Sequence, residues 1–332
     1  MKALKYLSGI IIVIIIIYSL GPRTEKAAYT KDLPDIPGND SMLEAYISSK
    51  EGLHKIKPDN EARIIWADKN NKAVTDYVIV YLHGFSASQE DGNPVHKKIA
   101  QTFGCNLYLA RLAEHGIDTV DQLINLTATK YWESAKEAYA IGKKLGKKVI
   151  LMGTSTGATN ALHLAATFPD IHALILLSPN IEINNESAWI ANNPWGLQLG
   201  RRIVGSDYFT PSDTTVMYKK YWNAPYRLEA IAALQEYLES TMQTSTFHKI
   251  TQPALLLYYY KNQSLQDPVV KVDAMLRMFK ELKTPIDQKS SVALPNAGDH
   301  VIGSYIKSKD VLGTENAISI FMNSVLHIPA KH

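Results

Sequence analysis

The amino-acid sequence predicts an α/β protein with a mostly parallel sheet that is covered by helices on both faces. Apolar, β-branched runs of strand length alternate with helical segments from about residue 77 to residue 177, and again after residue 253. Parallel strands need such helical connections, and burial on both faces makes their sequences apolar throughout. One of these runs passes through Gly-x-Ser-x-Gly directly into a helix, which predicts a serine on a sharp turn at the sheet edge.

Composition and charge exclude several classes of protein. A chain of 332 residues with 46% hydrophobic residues is long enough to bury one large core or two smaller ones. The net charge of +3 is small and no basic block occurs, so we expect no nucleic-acid partner. The single cysteine, Cys105, excludes an internal disulfide framework and a cysteine-based metal site, and we expect no metal.

The first 21 residues predict a signal peptide or an N-terminal membrane anchor. Lys2 and Lys5 precede an almost uninterrupted apolar run over residues 7–20. A poor cleavage site favours an uncleaved anchor, although the run is short for a membrane span. An anchor predicts export with the folded body on the non-cytoplasmic side, and cleavage would instead leave a secreted or periplasmic body. Residues 22–39 contain three prolines and predict a linker.

From residue 40 to residue 332 the pattern predicts one α/β domain. Its predicted strands are residues 62–67, 77–82, 105–110, 148–154, 172–177, 253–260 and 290–294. Its predicted helices are residues 41–47, 121–145, 158–166, about 268–282 and about 313–326, and Gly146 ends the second of them. Helices thus separate most of the strands, which favours parallel pairing.

The alternation stops between about residues 181 and 250. This segment has no clear buried strand, contains many aromatic residues and has apolar residues at helical spacing from Leu228 to Met242. An insertion of this size after a strand predicts a cap over the carboxyl edge of the sheet, where α/β proteins bind their ligands. Most of the aromatic side chains are expected to form the core of the cap itself. The candidates for the wall of a pocket are Trp189, Trp195 and Trp222.

Ser155 is the candidate nucleophile, because it lies at the centre of the Gly-x-Ser-x-Gly turn. The alternative is a glycine turn with a bystander serine. The tetrahedral intermediate of acyl transfer needs two backbone N–H donors. Thr156, just after the serine, is expected to supply one, and Phe85, in the loop after an earlier strand, the other. His83, which ends that strand, is expected to support the loop by hydrogen bonding.

His300 and Asp267 are the candidates for the base and the acid that would activate Ser155. A serine hydroxyl is a weak nucleophile until a base, usually a histidine oriented by a carboxylate, takes its proton. Of ten histidines, His300 stands in the loop after a late strand, at the edge where the serine is expected. Asp267 follows the preceding strand, so the order serine, acid, histidine matches that of the elbow fold. The alternative role of Asp267 is a helix N-cap before Pro268, and Asp299 is expected at the surface or behind the site.

On these motifs the chain resembles the α/β-hydrolases of the lysophospholipase, monoacylglycerol-lipase and serine-aminopeptidase-like group. The resemblance extends from about residue 77 to residue 326 and includes His115-Gly116. It implies an α/β-hydrolase fold with a mainly parallel eight-stranded sheet, a helical cap after the sixth strand, and hydrolysis of an ester or amide without a cofactor. Thr154 stands where the family usually has a histidine, and the loop before Asp267 lacks the glycine often found there.

The sequence therefore predicts a serine hydrolase that cleaves carboxylic esters through an acyl-enzyme, in the manner of a carboxylesterase or a monoacylglycerol lipase. The aromatic cap indicates an ester with an apolar acyl or alcohol group, either a small molecule or derived from a lipid. A serine peptidase and a thioesterase are alternatives within the same chemistry. The alternative from another class is a non-catalytic, membrane-anchored binding protein on the same fold. The sequence does not indicate an oligomeric state.

Overall fold

The chain folds around one seven-stranded sheet with helices on both faces. The structure is a computed structural model that describes residues 2–38 and 40–331. Met1, Asn39 and His332, which fall in the predicted anchor, linker and domain, lie outside the described residues. The α/β class, the mostly parallel pairing and the cover of helices are as the sequence predicts.

The secondary-structure elements are numbered in chain order. The strands are β1 Arg63–Ile65, β2 Thr75–Leu82, β3 Asn106–Leu109, β4 Gly146–Thr154, β5 Ala173–Leu177, β6 Tyr208–Phe209, β7 Tyr226–Arg227, β8 Ala254–Tyr258, β9 Tyr260–Asn262, β10 Leu265–Gln266 and β11 Lys289–Ala293. The helices are α1 Lys2–Ser19, α2 Asp40–Glu51, α3 Val95–Phe103, α4 Ala128–Leu145, α5 Thr156–Thr167, α6 Gly196–Val204, α7 Val216–Tyr221, α8 Leu228–Thr241, α9 Thr244–Phe247, α10 Val272–Glu281 and α11 Val311–Ser324.

The main sheet has the strand order β1-β3-β2-β4-β5-β8-β11. Only β1 runs antiparallel to its neighbour, and the other six strands pair in parallel. The carboxyl ends of β2, β4, β8 and β11 therefore meet at one edge of the sheet. The loops and helices that follow these four strands contain all the predicted catalytic residues.

The predicted count of eight strands is wrong by one. The seven segments with a strand pattern all enter the sheet, whereas the eighth strand was implied only by the family resemblance. Ahead of β1 the described residues contain no strand, because residues 52–62 form turns and a single bridge between Ile56 and Ile117. The inserted segment consequently follows β5, the fifth strand of this sheet, and not the sixth.

Strand β2 shows why both faces of the sheet need helices. Val78, Val80 and Leu82 pack into the core under α4, α5 and α10, while Ile79 and Tyr81 pack into the core under α3 and α11. All five side chains are fully buried. Successive side chains of a strand point to opposite faces, so a strand that is apolar at every position is stable only between two cores.

Among the differences from the prediction are the start of one helix and the structure of one loop. The helix predicted to begin at residue 121 begins at Ala128, because the Thr127 side chain accepts a hydrogen bond from the Lys130 amide and caps it there. Its predicted end is confirmed, since Gly146 is the C-cap. The predicted polar loop of residues 261–266 forms most of the small hairpin β9–β10 instead.

The segment between β5 and β8 contains helices α6 to α9 and a two-stranded pair of β6 with β7. It thus has no buried strand of the kind found in the main sheet, as the sequence analysis expects. Buried side chains of α8 and Tyr226 join the core under α4 and α5, so this segment packs on the body. We call it the cap.

Residues 22–38 contact the body through several hydrogen bonds and one buried side chain. Trp132 donates through Nε1 to the Thr30 carbonyl (2.8 Å), and the Lys136 ammonium donates to the Asp32 carbonyl (2.8 Å). Ile36 is buried in the core under α4. The predicted linker is therefore a strap, residues 22–38, that lies along α4.

Helix α1 precedes the strap. Among the described residues, no helix is both long enough and apolar enough to cross a membrane. The signal peptide or anchor of the sequence analysis stays a prediction.

Candidate active site

Ser155 lies on a strained turn between β4 and α5. Its φ of 54° and ψ of −120° are unusual for a residue with a side chain. Glycines two positions before and after the serine allow the close packing of this turn, since a Cβ on Gly157 would lie 1.9 Å from the Leu82 carbonyl oxygen. The Ser155 amide donates to the Leu177 carbonyl (2.8 Å), which ties the turn to β5. The serine is thereby held at the carboxyl edge of the sheet.

Asp267 and His300 are in direct contact. The His300 Nδ1 and Asp267 Oδ2 atoms are 2.6 Å apart, and both side chains are buried. The other carboxylate oxygen, Oδ1, accepts from the Val269 and Val270 amides at 2.8 and 3.0 Å. The alternative role as the N-cap of the next helix does not hold, because α10 begins at Val272 and its N-cap is Lys271.

The second nitrogen of His300 is not used by Asp267. Ser155 and His300 line one cavity, and the buried Nε2 atom of His300 has no hydrogen-bond partner among the described residues. No hydrogen bond joins Ser155 to His300. Catalytic hydrogen bonds are often long without substrate and tighten when it binds. The structure therefore brings the acid and the histidine together, and places the serine in the same cavity.

The carboxylates around His300 together outweigh the effect of burial on the pKa of its imidazole. Burial lowers the pKa of the imidazole, but the Asp267 carboxylate and its hydrogen bond, helped by Asp299 and Asp91, raise that pKa above its usual value. A raised pKa stabilises the imidazolium that forms when a histidine takes a proton from a nucleophile.

Of the two residues whose amides are predicted to bind an oxyanion, Phe85 lines this cavity, and Thr156 directly follows Ser155, which lines it. Neither the Phe85 amide nor the Thr156 amide donates to another group within the described residues. Thr156 is the first residue of α5, so its amide belongs to the positive end of the helix dipole. The amides on either side of Phe85 are both anchored: Gly84 donates to Asp91 Oδ2 (2.7 Å) and Ser86 to His115 Nε2 (3.0 Å).

Two buried histidines support the Phe85 loop. His83 accepts from the Leu112 amide through Nε2 (3.0 Å), and its Nδ1 contacts the Gly84 carbonyl (2.9 Å). Burial lowers the pKa of His83 to about 4 and the pKa of His115 well below its usual value. Both rings are therefore neutral at pH 7 and act as structural acceptors, as the sequence analysis expects for His83.

Asp91 is a residue of this site that the sequence analysis missed. It lines the cavity, is 1% exposed, and accepts from the Tyr81 hydroxyl and the Gly84 amide. Its only sequence signal is its position in the segment after His83-Gly84, in a turn capped by Ser88. That signal is weak, because acidic residues are common in such turns.

The cavity has a volume of about 580 Å³ and a mostly apolar wall. Of the three tryptophans proposed for the wall, only Trp222 lines it. Trp189 is 56% exposed, and Trp195 instead donates through its amide to Pro22 and through Nε1 to Ile17. The apolar residues of the wall include Phe85, Ile190, Leu197, Ile203, Val204, Phe209, Trp222, Tyr226, Leu228, Ile231 and Leu234.

The titratable residues around the cavity do not form a metal-binding group. Within the described residues, no three His, Cys, Asp or Glu side chains are arranged so that they could hold a metal ion.

Comparisons with known proteins identify the family and the fold. The model of the alpha/beta hydrolase family matches residues 79–305. Similar solved structures include one from a study of the metagenome-derived lipolytic enzymes LipS and LipT (TM-score 0.64, 16% identity, 81% of this chain and 99% of that chain). Also similar is a monoacylglycerol lipase from Paleococcus ferrophilus, with a TM-score of 0.58 and 16% identity over 80% of this chain and 98% of that chain. A third similar structure is Est1E from Butyrivibrio proteoclasticus with ferulic acid bound, with a TM-score of 0.54 and 18% identity over 80% of this chain and 95% of that chain. No curated protein sequence matches the chain significantly.

Proposed function

Because the chain belongs to the alpha/beta hydrolase family, we propose that it is a serine hydrolase that cleaves carboxylic esters. The observation that carries this proposal is the 2.6 Å contact of Asp267 with His300, which lines the same cavity as Ser155 on its strained turn. A buried acid–histidine pair beside an elbow serine is the arrangement that nucleophilic acyl transfer requires.

In the proposed reaction, Ser155 Oγ attacks the ester carbonyl while His300 Nε2 takes the hydroxyl proton. Asp267 keeps the proton on Nδ1 and stabilises the imidazolium. The amides of Phe85 and Thr156 donate to the oxyanion of the tetrahedral intermediate. His300 then gives its proton to the leaving alcohol. Water attacks the acyl-enzyme by the same steps in reverse, which releases the acid and restores Ser155.

The cavity supports an ester with an apolar acyl or alcohol group as the substrate. Its volume of about 580 Å³ is typical of a site for a drug-sized molecule. The wall around the serine is apolar on the cap side, so an alkyl or aryl group would gain free energy by leaving water there. Similar structures from a study of lipolytic enzymes and of a monoacylglycerol lipase agree with this substrate class.

A fluorophosphonate probe tests the proposal on the chain lacking residues 1–21. The probe modifies a serine only when a base activates it, so wild-type protein should be labelled and Ser155→Ala should not. Ser187→Ala is the matched control, because Ser187 lines the same cavity and should leave labelling unchanged. Folded wild-type protein that is not labelled would instead support the non-catalytic binding protein.

A substrate series then separates the ester hydrolase from its closest alternatives. Wild-type protein that has not been treated with the probe would be assayed with p-nitrophenyl esters of increasing chain length, monoglycerides, a thioester and a peptide amide. We expect the highest kcat/KM on an oxygen ester with an apolar acyl group. A higher value on the thioester or the amide would assign the thioesterase or the peptidase.

A further inference from the structure

Asp91 has a position that the proposed triad and its two oxyanion amides do not explain. Its carboxylate is 1% exposed, yet it forms no ion pair with a lysine or arginine within the described residues. Oδ1 accepts from the Tyr81 hydroxyl (2.5 Å) and Oδ2 from the Gly84 amide (2.7 Å). Burial of a carboxylate without a cationic partner costs free energy. A contribution of Asp91 to the site would explain why a carboxylate is buried here.

The contacts of Asp91 join the two halves of the proposed catalytic site. The Tyr81 hydroxyl is also 2.7 Å from Thr154 Oγ1, and Thr154 immediately precedes the nucleophile. On the other side, Gly84 immediately precedes Phe85. A Cβ on Gly84 would lie 3.1 Å from Asp91 Oδ2 and 3.3 Å from the Ser155 Cβ. The carboxylate and the serine therefore flank the same short stretch of backbone.

We propose that Asp91 is a positioning residue that fixes the Phe85 amide over Ser155 through Gly84, and does so whether its carboxyl group is charged or neutral. The inference rests on the proposed function, because it concerns the geometry of an oxyanion-binding amide. The loop is anchored at both flanks of Phe85, by Asp91 at Gly84 and by His115 at Ser86. Preorganised donors stabilise an oxyanion because they need no rearrangement during the reaction.

Both protonation states of Asp91 allow a hydrogen bond at each of its contacts and at the contact between Tyr81 and Thr154. In the charged state, Thr154 donates to Tyr81, Tyr81 donates to Oδ1, and Gly84 donates to Oδ2. When Oδ1 takes a proton from solvent it becomes the donor to the Tyr81 oxygen, and the Tyr81 hydroxyl turns to donate to Thr154 Oγ1. Oδ2 accepts from Gly84 in both states. The loop therefore keeps its position while the charge beside the nucleophile changes.

The surroundings of Asp91 make both states accessible near neutral pH. Burial raises the pKa of Asp91 to about 7, although the hydrogen bonds from Tyr81 and Gly84 and the charge of His300 act in the opposite direction. The charged form of Asp91 in turn contributes to the raised pKa of His300. Several other titratable groups surround Asp91 and its hydrogen-bond partners. They are Glu90 in the same turn, Tyr131 on α4, His96 against the Tyr81 ring, and Asp267 and Asp299 beside His300.

The test compares Asp91→Ala with Asp91→Asn in ester hydrolysis. Asn keeps an acceptor for Gly84 and gives Tyr81 a donor, so it imitates the neutral acid. We expect Asp91→Ala to lower kcat at least about 10-fold with little change in KM, since removing an oxyanion donor costs about 10²–10³-fold. Asp91→Asn should keep kcat within about 3-fold. It should also move the acidic limb of kcat/KM to lower pH, because His300 loses a neighbouring negative charge.

Glu90→Gln is the matched control. It removes a carboxylate from the same turn but leaves the Gly84 and Tyr81 contacts intact, so kcat and the acidic limb should both stay in place. An Asp91→Ala protein with kcat within 3-fold of wild type overturns the proposal. So does a folded Asp91→Asn protein that is as slow as Asp91→Ala, because the charge and not the position would then matter.

Thermal unfolding gives a second readout that does not depend on hydrolysis. The pKa of Asp91 is higher in the folded protein than in the unfolded chain, so wild type loses stability as pH rises toward and through 7. Asp91→Asn lacks this loss, and its Tm relative to wild type should increase from pH 5 to pH 8. A constant difference overturns the protonation part of the proposal, even if Asp91→Ala does not fold. Wild-type protein without esterase activity would count against the proposed function and leave this measurement valid.

Discussion

Asp267 divides its two carboxylate oxygens between the backbone and His300. The Val269 and Val270 amides hold Oδ1, so Oδ2 is aimed at the imidazole without help from a flexible partner. A side chain fixed at both oxygens loses little further freedom when the histidine is charged. The rigidity of this one residue therefore bears directly on the proposed acid–base chemistry.

Asp267→Asn should lower kcat/KM by about 10²–10⁴-fold while the protein stays folded. Asn can still accept from the two valine amides, but its NH₂ group would face Nδ1 and leave His300 in the wrong tautomer. The acidic limb of the pH profile should move to lower pH, because Asp267 is what raises the pKa of His300. Steady-state kinetics from pH 5 to pH 9 measure both effects.

Asp299→Asn is the control for this experiment. Asp299 also lines the cavity and lies 3.6 Å from Lys307, but it accepts a hydrogen bond from the Val301 amide rather than from His300. Its loss should reduce kcat/KM far less than the loss of Asp267. Equal losses in the two variants would contradict the assignment of Asp267 as the acid.

At the residue scale, the sequence predicted what local motifs specify. Ser155 follows from its five-residue turn, and the pair Asp267–His300 from strand order. Asp91 could not be found this way, because its contacts with Tyr81 and Gly84 depend on how an irregular loop folds back. Trp189 and Trp195 were candidates for the pocket wall but do not line the cavity, because composition does not determine which face of a cap points inward.

At the scale of elements, the junction of β4 and α5 depends on close packing against β2. Gly157→Ala would place a methyl group 1.9 Å from the Leu82 carbonyl oxygen and 2.6 Å from that of His83, both backbone atoms that cannot move alone. We expect a loss of about 1–3 kcal/mol or more in the free energy of unfolding, together with loss of probe labelling. Urea denaturation measures the first effect.

Gly200→Ala gives a matched comparison within α6. A Cβ at Gly200 would meet no atom within 4 Å, and alanine favours a helix over glycine by about 0.5–1 kcal/mol. This variant should be as stable as wild type or more stable. If Gly157→Ala unfolds at the same urea concentration as wild type, then the close approach of α5 to β2 is not a requirement of the elbow.

The elements themselves were predicted well where a periodic pattern existed. All seven strands of the main sheet coincide with segments that were predicted as strands, and the parallel pairing of β2, β3, β4, β5, β8 and β11 agrees with the helices between them. The start of α4 was placed seven residues too early, because a capping hydrogen bond of Thr127 ends the irregular segment and no periodicity marks that point. The prediction of an eighth strand was wrong because it came from the family resemblance alone, and no strand-like segment of this sequence supported it.

At the scale of the whole molecule, the strap is part of the folded body. A chain that begins at Asp40 lacks Ile36, which is 3% exposed, and uncovers Trp132 and Lys136. Burial of one such isoleucine contributes about 1.5–3 kcal/mol. We therefore expect this chain to unfold at a lower temperature than one that begins at Pro22, as measured by calorimetry. Equal Tm values would mean that the strap contributes nothing to stability.

The hydrogen bonds of Trp195 to Ile17 and Pro22 tie the beginning of the polypeptide to the first turn of α6, whose later residues wall the cavity. An affinity tag or fusion partner attached just ahead of residue 22 replaces the segment that contains Ile17, and with it the acceptor of the Trp195 Nε1 hydrogen bond. We therefore expect preparations that differ only in the residues before position 22 to differ in their relative kcat/KM values for the same set of esters. The residues placed before position 22 should therefore be kept the same whenever ester preferences are compared.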